Sequence, residues 1–261
     1  MFRTTRSIGI GSLILATMFV LGCGKTSVDR QAVHRCNDLG VAYMEQHNYY
    51  AASQEFEKAL ELDPDYAIGR INLGIAYFAL SMYAEADAEF EKALTLDPKN
   101  PYAHFNLGLV SKVQGEYEQA GKAFEEVLKV DSEDPFVHYN LGIVFSKQGR
   151  HTEAIREYRR VIALDPNNVS AYYNLAGELR RAKKPEESKE VLAVFTKKRA
   201  SGLNPTVGVR YLEQGKYAEA IVDRAHRAEA EAGDRVIPVK FVDATALAGL
   251  ENRKQGSGAG N

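Results

Sequence analysis

Apolar residues along this chain follow two superimposed periods. Within short stretches, large apolar and small residues return every three or four positions, which is the spacing of one face of an α-helix. The whole pattern then returns every 34 residues, as four units covering 33–66, 67–100, 101–134 and 135–168. Each unit contains two amphipathic stretches separated by a few polar residues. A period of this length predicts a stacked array of helix-turn-helix units.

Three positions of the unit are occupied by residues that suit close helix packing. Position 8 is Gly and position 20 is Ala in all four units, so two helices can approach closely there. Position 24 is always aromatic and can fill the space beside the small residues. The residues are Gly40, Gly74, Gly108 and Gly142; Ala52, Ala86, Ala120 and Ala154; and Phe56, Phe90, Phe124 and Tyr158.

These residues closely resemble the tetratricopeptide repeat (TPR) family. The resemblance implies an all-α, right-handed superhelix of about six helix-turn-helix repeats, in which the first helices line a concave face. Repeats one to five occupy 33–200, the fifth being degenerate, and a sixth or capping repeat occupies 201–234. Gly215 is expected to end the first helix of the sixth repeat, and its charged second helix is expected over Tyr217–Ala232.

The N-terminal 22 residues are typical of a secretory signal peptide. Arg3 and Arg6 precede an apolar run, Ile8–Leu21, that is too short to span a bilayer. The run leads into Cys23, and together these residues resemble the bacterial lipobox. That resemblance implies cleavage before Cys23, acylation of Cys23 with diacylglycerol and palmitate, and a tether over 23–32. Lys25 favours the periplasmic face of the outer membrane. An ordinary signal peptide followed by a chance cysteine is the alternative.

The charge is small overall but unevenly distributed. A net charge of −2 does not indicate a nucleic-acid-binding protein. Residues 33–134 contain 19 acidic and 8 basic residues, a net charge of −11, whereas residues 135–227 contain 10 acidic and 17 basic residues, a net charge of +7. In an elongated molecule this asymmetry can orient a charged partner. The alternative is that these charges are ordinary solvated helix faces.

Catalytic and metal-binding patterns are not found. No nucleotide-binding, zinc-protease or serine-hydrolase motif is present, so we expect no enzyme activity and no cofactor. His104 and His138 share one repeat position, which repetition explains without a metal. Cys36 is expected to be a buried small residue, because Leu39 and Val41 lie nearby.

The strongest candidate for binding is a row of asparagines at position 6 of four successive repeats. A side-chain amide offers both a donor and an acceptor, so such a row can bind the backbone of an extended peptide. It is similar to the asparagine ladder in the TPR superhelix of O-linked GlcNAc transferases. The alternative is that asparagine here only stabilises neighbouring turns. The asparagine row comprises Asn72, Asn106, Asn140 and Asn174.

Aromatic and basic residues adjoin this row. They predict an extended or acidic protein segment as the ligand, bound across repeats three to five. The aromatic members are Phe105, Tyr139 and Tyr173, and the basic members include Lys112, Lys147 and Arg180.

Two functions are compatible with these observations. The first is a lipid-anchored scaffold for protein binding, since lipid-anchored TPR proteins of this size resemble assembly factors of type IV pili and other envelope machines. The second follows from the tail, 235–261, which we expect to be partly disordered. Phe241, Asp243 and Thr245, followed by Ala248-Gly249-Leu250, resemble the entry segment of FG-GAP β-propeller proteins. The chain would then be the TPR arm of a larger or truncated secreted protein.

Overall fold

The computed structural model describes residues 28–202 and 214–223, and the described residues form ten α-helices, one short 3₁₀ helix and no strands. The predicted signal peptide, Cys23 and the tail after residue 223 lie outside this part. The helices are α1 (Arg30–Glu45), α2 (Tyr49–Leu62), α3 (Ala67–Ala79), α4 (Tyr83–Leu96), α5 (Pro101–Gln114), α6 (Tyr117–Leu128), α7 (Pro135–Lys147), α8 (His151–Leu164), α9 (Val169–Arg181) and α10 (Pro185–Ala200).

Consecutive helices pack in pairs, and the pairs stack in chain order. Each odd-numbered helix contacts the even-numbered helix that follows it, and the neighbouring first helices α1, α3 and α5 also touch one another. The predicted all-α solenoid of helix pairs is therefore confirmed, with five pairs in the described residues. Within this part of the chain, no helix is long and apolar enough to cross a bilayer.

Local signals set where the helices begin. The side chains of Asn48, Asn100, Asp134 and Asn168 each accept a hydrogen bond from a free backbone N–H at a helix start. Asp29 does the same for α1, accepting from the Ala32 N–H at 3.1 Å. As a result α1 begins at Arg30, within the stretch that the sequence assigns to the tether.

The turn between the two helices of each repeat requires a left-handed residue at position 15. Gly115 and Gly149 have φ values of 85° and 73°, in the region that glycine adopts readily. His47, Ser81 and Lys183 adopt the same conformation with φ values of 58°, 63° and 59°. A side chain makes this conformation less favourable, so the repeat geometry imposes it on these three residues.

A Gly-to-aromatic contact fixes the spacing of the two helices within the first four repeats. A Cβ atom at Gly142 would lie 2.6 Å from Cε1 of Tyr158, and one at Gly74 would lie 2.5 Å from Cε1 of Phe90. Both rings are almost fully buried. The fifth repeat changes both partners together, with Ala176 at position 8 and Leu192 at position 24. A larger residue on one helix is thus accompanied by a smaller one on the other.

A polar contact recurs beside this apolar one. The His138 Nδ1 atom of α7 lies 2.8 Å from a Glu157 carboxylate oxygen of α8, and Arg70 of α3 makes the equivalent ion pair with Glu89 of α4 at 3.0 Å. His104 lies instead 2.9 Å from the Pro98 carbonyl oxygen. His138 therefore belongs to helix packing and His104 to the turn before its own helix, and no cluster of metal-binding side chains occurs in the described residues.

The predicted sixth repeat differs from the structure at its second helix. Tyr217–Asp223 is not α-helical, because only Lys216–Ala218 forms a 3₁₀ turn and residues 219–223 have no regular structure. Gly215 has a φ of 93° and a ψ of 170°, which is not the left-handed conformation expected of a residue that ends a helix, and it directly precedes the 3₁₀ turn. Residues 203–213 and 224–234 of this repeat lie outside the described part.

Cys36 is less enclosed than expected. Its free thiol on α1 is half-buried, and burial followed by the Glu55 carboxylate raises its pKa above the ordinary value. This favours the neutral thiol over the reactive thiolate.

Replacing Gly142 and Gly177 with alanine should change stability in opposite directions. Gly142→Ala places a methyl group against the buried Tyr158 ring, which we expect to cost about 1–3 kcal/mol. Gly177→Ala on α9 meets no atom within 4 Å and should stabilise that helix by about 0.5–1 kcal/mol. Thermal melting of the two full-length variants checks this. A loss of stability in both variants would contradict the packing argument.

Acid should weaken the α7–α8 contact through Glu157. Burial opposes ionisation of this carboxyl, but hydrogen bonds from His138 and Arg156 outweigh it and hold its pKa below the ordinary 4.5. A depressed pKa stabilises the fold above pH 4.5, and that contribution is lost as the pH falls further. The melting temperature of Glu157→Gln should therefore depend less on pH below about 4.5 than that of the wild type. Glu125→Gln, at an exposed position of α6, should show the same pH dependence of the melting temperature as the wild type. The same pH dependence in all three proteins would contradict this prediction.

Candidate functional site

The face formed by the first helices of repeats one to four is covered by a segment of the same chain. We call residues 215–223 the groove segment and the face beneath them the groove. The segment runs from α7 at its beginning to α1 at its end, so its direction is opposite to the order of the repeats. Its contacts with the groove combine backbone hydrogen bonds, one aromatic pocket and two charged ends.

Asn106 binds the backbone of the groove segment at the 3₁₀ turn. Its Nδ2 atom donates to the Tyr217 carbonyl oxygen at 2.6 Å and to the Tyr102 carbonyl oxygen of its own helix at 2.8 Å. The second bond orients the amide, and the first is directed at the segment. Asn106 is only 2% exposed, so these bonds form away from water.

Asn72 binds both backbone groups of a single residue. Its Oδ1 atom accepts from the Ile221 N–H at 2.6 Å, and its Nδ2 atom donates to the Ile221 carbonyl oxygen at 3.0 Å. Asn37 of α1 donates to the same carbonyl oxygen at 3.3 Å and accepts from Asn72 Nδ2 at 2.8 Å. Together with Asn106, these amides hold the backbone of the groove segment at two points.

The side chain of Tyr217 occupies an aromatic pocket in repeat three. Its ring stands at 81° to the Tyr102 ring with centroids 5.0 Å apart, and lies 5.9 Å from the Phe105 ring. Its hydroxyl donates to the Asp131 carboxylate at 3.1 Å. Burial, followed by this hydrogen bond, raises the pKa of Tyr217 to about 12, so the hydroxyl stays protonated as a donor.

Charged groups hold the two ends of the groove segment. Lys216 Nζ lies 2.5 Å from Asp131 and 3.6 Å from Asp134; its hydrogen bond is the main cause of the lowered pKa of Asp131. At the other end the Asp223 carboxylate lies 3.2 Å from His34 and accepts from the Tyr66 hydroxyl at 3.3 Å. Burial and the negative charge of Asp223 raise the pKa of Tyr66.

The second half of the asparagine row binds groups of the helices instead. Asn140 donates to the Phe136 carbonyl oxygen at 2.8 Å and accepts from Lys112 Nζ at 2.5 Å. Asn174 donates to the Tyr139 hydroxyl at 2.9 Å. Burial lowers the pKa of Lys112 to about 8, and its Nζ atom is bonded to Asn140 within the repeats.

The other predicted site residues occupy different environments. Phe105 is fully buried and forms the floor beneath Tyr217, and Tyr139 is 8% exposed. Tyr173 is 60% exposed and packs on Phe195 of α10. Lys147 and Arg180 lie near the C-terminal ends of α7 and α9. Phe105, Asn72 and Asn106 therefore all contact the groove segment. Tyr173, Lys147 and Arg180 lie farther along the row, on α7 and α9.

Sequence patterns did not identify several groups that bind the groove segment, among them Asn37, Tyr102 and Asp131. Asn37 occupies position 5 of its repeat, one residue before the row, so the period alone does not select it. Tyr102 occupies a position that varies among repeats. Asp131 lies in the turn before α7, where a carboxylate suggests only a turn residue. A search for every amide one residue from the row would have found Asn37.

The geometry can hold an extended polypeptide with little regard to its sequence. Asn72 and Asn106, one repeat apart, contact carbonyl oxygens four residues apart in the groove segment. Over this stretch, one repeat therefore corresponds to four residues of bound chain. The pocket for Tyr217 and the two carboxylates of Asp131 and Asp134 add side-chain selectivity to this backbone recognition.

Several solved structures share this fold at low sequence identity. "Crystal structure of MamA" aligns with a TM-score of 0.60 and 21% identity, covering 63% of this chain and 96% of that one. "MamA 41-end from Desulfovibrio magneticus RS-1" aligns at 0.62 and 18%, covering 65% and 96%. "YrrB: a TPR protein with an unusual peptide-binding site" aligns at 0.58 and 22%, covering 66% and 89%. At these identities the likeness concerns the fold. No curated protein matches the chain in sequence.

A family model described as "TPR repeat" matches residues 40–81, 76–112, 113–149 and 144–176. Together the matches extend from residue 40 to residue 176, more than half of the 261 residues. They include the Gly and aromatic positions that set the helix spacing and the whole asparagine row. With five stacked helix pairs in the described residues, this chain belongs to the tetratricopeptide repeat family.

Proposed function

We propose that this protein is a scaffold that binds an extended segment of a protein partner in the groove of its repeats. The observation that carries the proposal is the contact of Asn72 with both the N–H and the carbonyl oxygen of Ile221. An adjacent β-strand would satisfy the same two groups. The groove therefore offers a peptide the backbone partners that it would otherwise find only in a sheet or in water.

The groove residues are suited to alternate between bound and free states. Asn37, Asn72 and Asn106 are side-chain amides, so water can satisfy them when no peptide is present. The helices do not need the bound segment for their own spacing, since the Gly and aromatic contacts lie between the helices of each repeat. A ligand can thus leave while the helices of each repeat keep their spacing.

The part of the row beyond the groove segment is the place where a partner can enter. Residues 215–223 contact repeats one to four, whereas Asn174 and the exposed Tyr173 lie in repeat five. Tyr173, Lys147 and Arg180 offer a stacking surface and positive charge there. This part suits an extended segment that carries aromatic and acidic side chains.

YrrB, a protein of the same fold, is described as having an unusual peptide-binding site, which supports peptide binding as the mode of recognition.

A more specific proposal is that the scaffold is anchored to a membrane. Arg3, Arg6 and the apolar run before Cys23 support export and lipidation. Acyl chains on Cys23 would tether the repeats to the periplasmic face of the outer membrane. There the groove would serve an envelope machine, of which type IV pilus assembly is our specific candidate.

The resemblance of residues 241–250 to a propeller entry segment supports a second candidate, the TPR arm of a larger or truncated secreted protein. A propeller-coding frame directly after Asn261 in the DNA would favour it. A stop codon with unrelated sequence beyond would favour the scaffold alone.

A photoreactive amino acid at Tyr173 should crosslink to a partner in cells. Tyr173 lies on α9 beside the asparagine row and is 60% exposed. Tyr50, 66% exposed on the second helix α2, is the matched control site. We expect a specific adduct from position 173, identified by mass spectrometry, and none from position 50. Asn174→Ala should reduce that adduct several-fold, because in the proposed complex the Asn174 amide exchanges its bond to the Tyr139 hydroxyl for one to the partner's backbone, and losing a hydrogen bond weakens binding by about 0.5–1.5 kcal/mol. Equal adducts from both sites would contradict groove binding.

Radioactive palmitate should label the wild-type chain in cells and should fail to label Cys23→Ser. Acylation requires the Cys23 thiol, whereas Cys36 is a half-buried thiol of α1 that should take no label. Cys36→Ser is the control and should keep full labelling. A labelled Cys23→Ser variant, or an unlabelled wild type, would count against the lipid anchor.

A further inference from the structure

The groove segment has the properties of a bound ligand, although it belongs to the same chain. Its interactions with the helices are those a partner would make: backbone bonds to Asn72 and Asn106, an aromatic side chain in a pocket and a charge at each end. The backbone bonds join residues that are 111 to 149 positions apart along the chain. Hence they arise from the folded groove and not from local structure.

Tyr217 and Ile221 each contact the groove through both the side chain and the backbone. Tyr217 is 6% exposed, between Tyr102 and Phe105. Ile221 packs against the core of repeats one to three and uses both of its backbone groups on Asn72. The remaining residues of the segment, apart from Gly215 and Ala218, are at least partly exposed. Two anchors separated by four residues therefore define the segment's register in the groove.

Gly215 adds a steric requirement at the beginning of the segment. A Cβ atom there would lie 2.5 Å from Cγ of Phe136, so the backbone rests directly on that ring. Its φ of 93° is also in the region that favours glycine. The chain can therefore turn into the groove above Phe136 only because residue 215 has no side chain.

We infer that the groove segment is an internal ligand that occludes repeats one to four, and that the partner which displaces it carries the same recognition chemistry. This inference rests on the proposed function of the groove. The partner presents an extended stretch with an aromatic residue, an aliphatic residue four positions later and a carboxylate two positions after that. These groups replace Tyr217, Ile221 and Asp223. The partner runs in the same direction as the groove segment, from repeat four towards repeat one.

Tethering makes an internal ligand effective even when its intrinsic affinity is modest. A segment joined to α10 by a short stretch of chain is present at the groove at a local concentration on the order of millimolar. A free partner binds only the fraction of molecules whose groove is open, so its apparent dissociation constant rises by the reciprocal of that fraction. Strengthening or weakening the groove segment therefore changes the affinity for every partner that uses repeats one to four.

Peptide binding to full-length variants tests this inference. The probe is a fluorescein-labelled synthetic peptide with the sequence of residues 214–223, and its binding is followed by fluorescence anisotropy. In the release variant, Tyr217→Ala empties the aromatic pocket and Ile221→Pro removes the N–H that donates to Asn72. Glu219→Ala is the matched control, because Glu219 lies between the two anchors and is partly exposed.

We expect the release variant to bind the peptide at least about tenfold more tightly than the wild type, because its groove is open. Glu219→Ala should match the wild type. Adding Asn72→Ala and Asn106→Ala to the release variant should abolish binding, and a scrambled peptide should not bind. Equal affinity of wild type and release variant would overturn the occlusion while leaving groove binding intact. Binding that survives loss of both asparagines, or no binding to the release variant, would instead overturn the groove as a site for this chemistry.

Hydrogen exchange on the wild type gives a second readout that needs no substitution. The Ile221 amide should be protected in the free protein and should exchange faster when excess peptide, distinguished by ¹³C labelling, displaces the segment. Unchanged protection at saturating peptide would overturn the inference.

Light scattering should show a monomer in the free state; a dimer that exchanges its segments would overturn occlusion within one chain.

Discussion

The contact between a glycine on one helix and an aromatic ring on the next determines the geometry of the first four repeats. The ring lies where the Cβ atom of any other residue would be, so the two helices cannot be placed farther apart without leaving a cavity, or closer without a clash. Because this contact recurs every 34 residues, each repeat has nearly the same shape. Stacking units of the same shape then brings equivalent positions onto one face of the molecule.

That regularity turns a single residue type into a binding surface. Asn72 and Asn106 occupy one position of adjacent repeats, and their amides meet carbonyl oxygens four residues apart in the groove segment. A helix surface alone offers few free hydrogen-bonding groups, because its backbone is already paired. The asparagines supply the donors and acceptors that the helices lack. Recognition of the backbone thus depends on the spacing of repeats, which depends in turn on the buried glycines.

The solenoid and half of the site could be predicted for the same reason. Both depend on periodic positions, so Gly74, Phe90, Asn72 and Asn106 were identifiable from spacing alone. Asn37 was missed because the first repeat places its amide one position earlier.

The occupant of the groove was missed for a different reason. Gly215 fits the repeat pattern, which predicted a helix from Tyr217. The sequence pattern around Tyr217 does not show whether these residues form a helix or bind in the groove. A short isolated helix is only marginally stable in water, so contacts with distant repeats can outweigh it. In the groove the same residues gain partners from distant repeats, including the bond between Ile221 and Asn72 across 149 positions.

The uneven charge of the chain acquires a physical meaning from these contacts. Asp131 and Asp134 belong to the acidic first part of the chain, whereas Lys216 belongs to the basic second part, and the groove segment brings the two together. Lys216 is more than half exposed, so its ion pairs add little to stability and are weakened by salt. They favour the orientation in which Lys216 lies at repeat three and Asp223 at repeat one. Backbone bonds hold the segment, the Tyr217 and Ile221 anchors set its register, and the charged ends favour its direction.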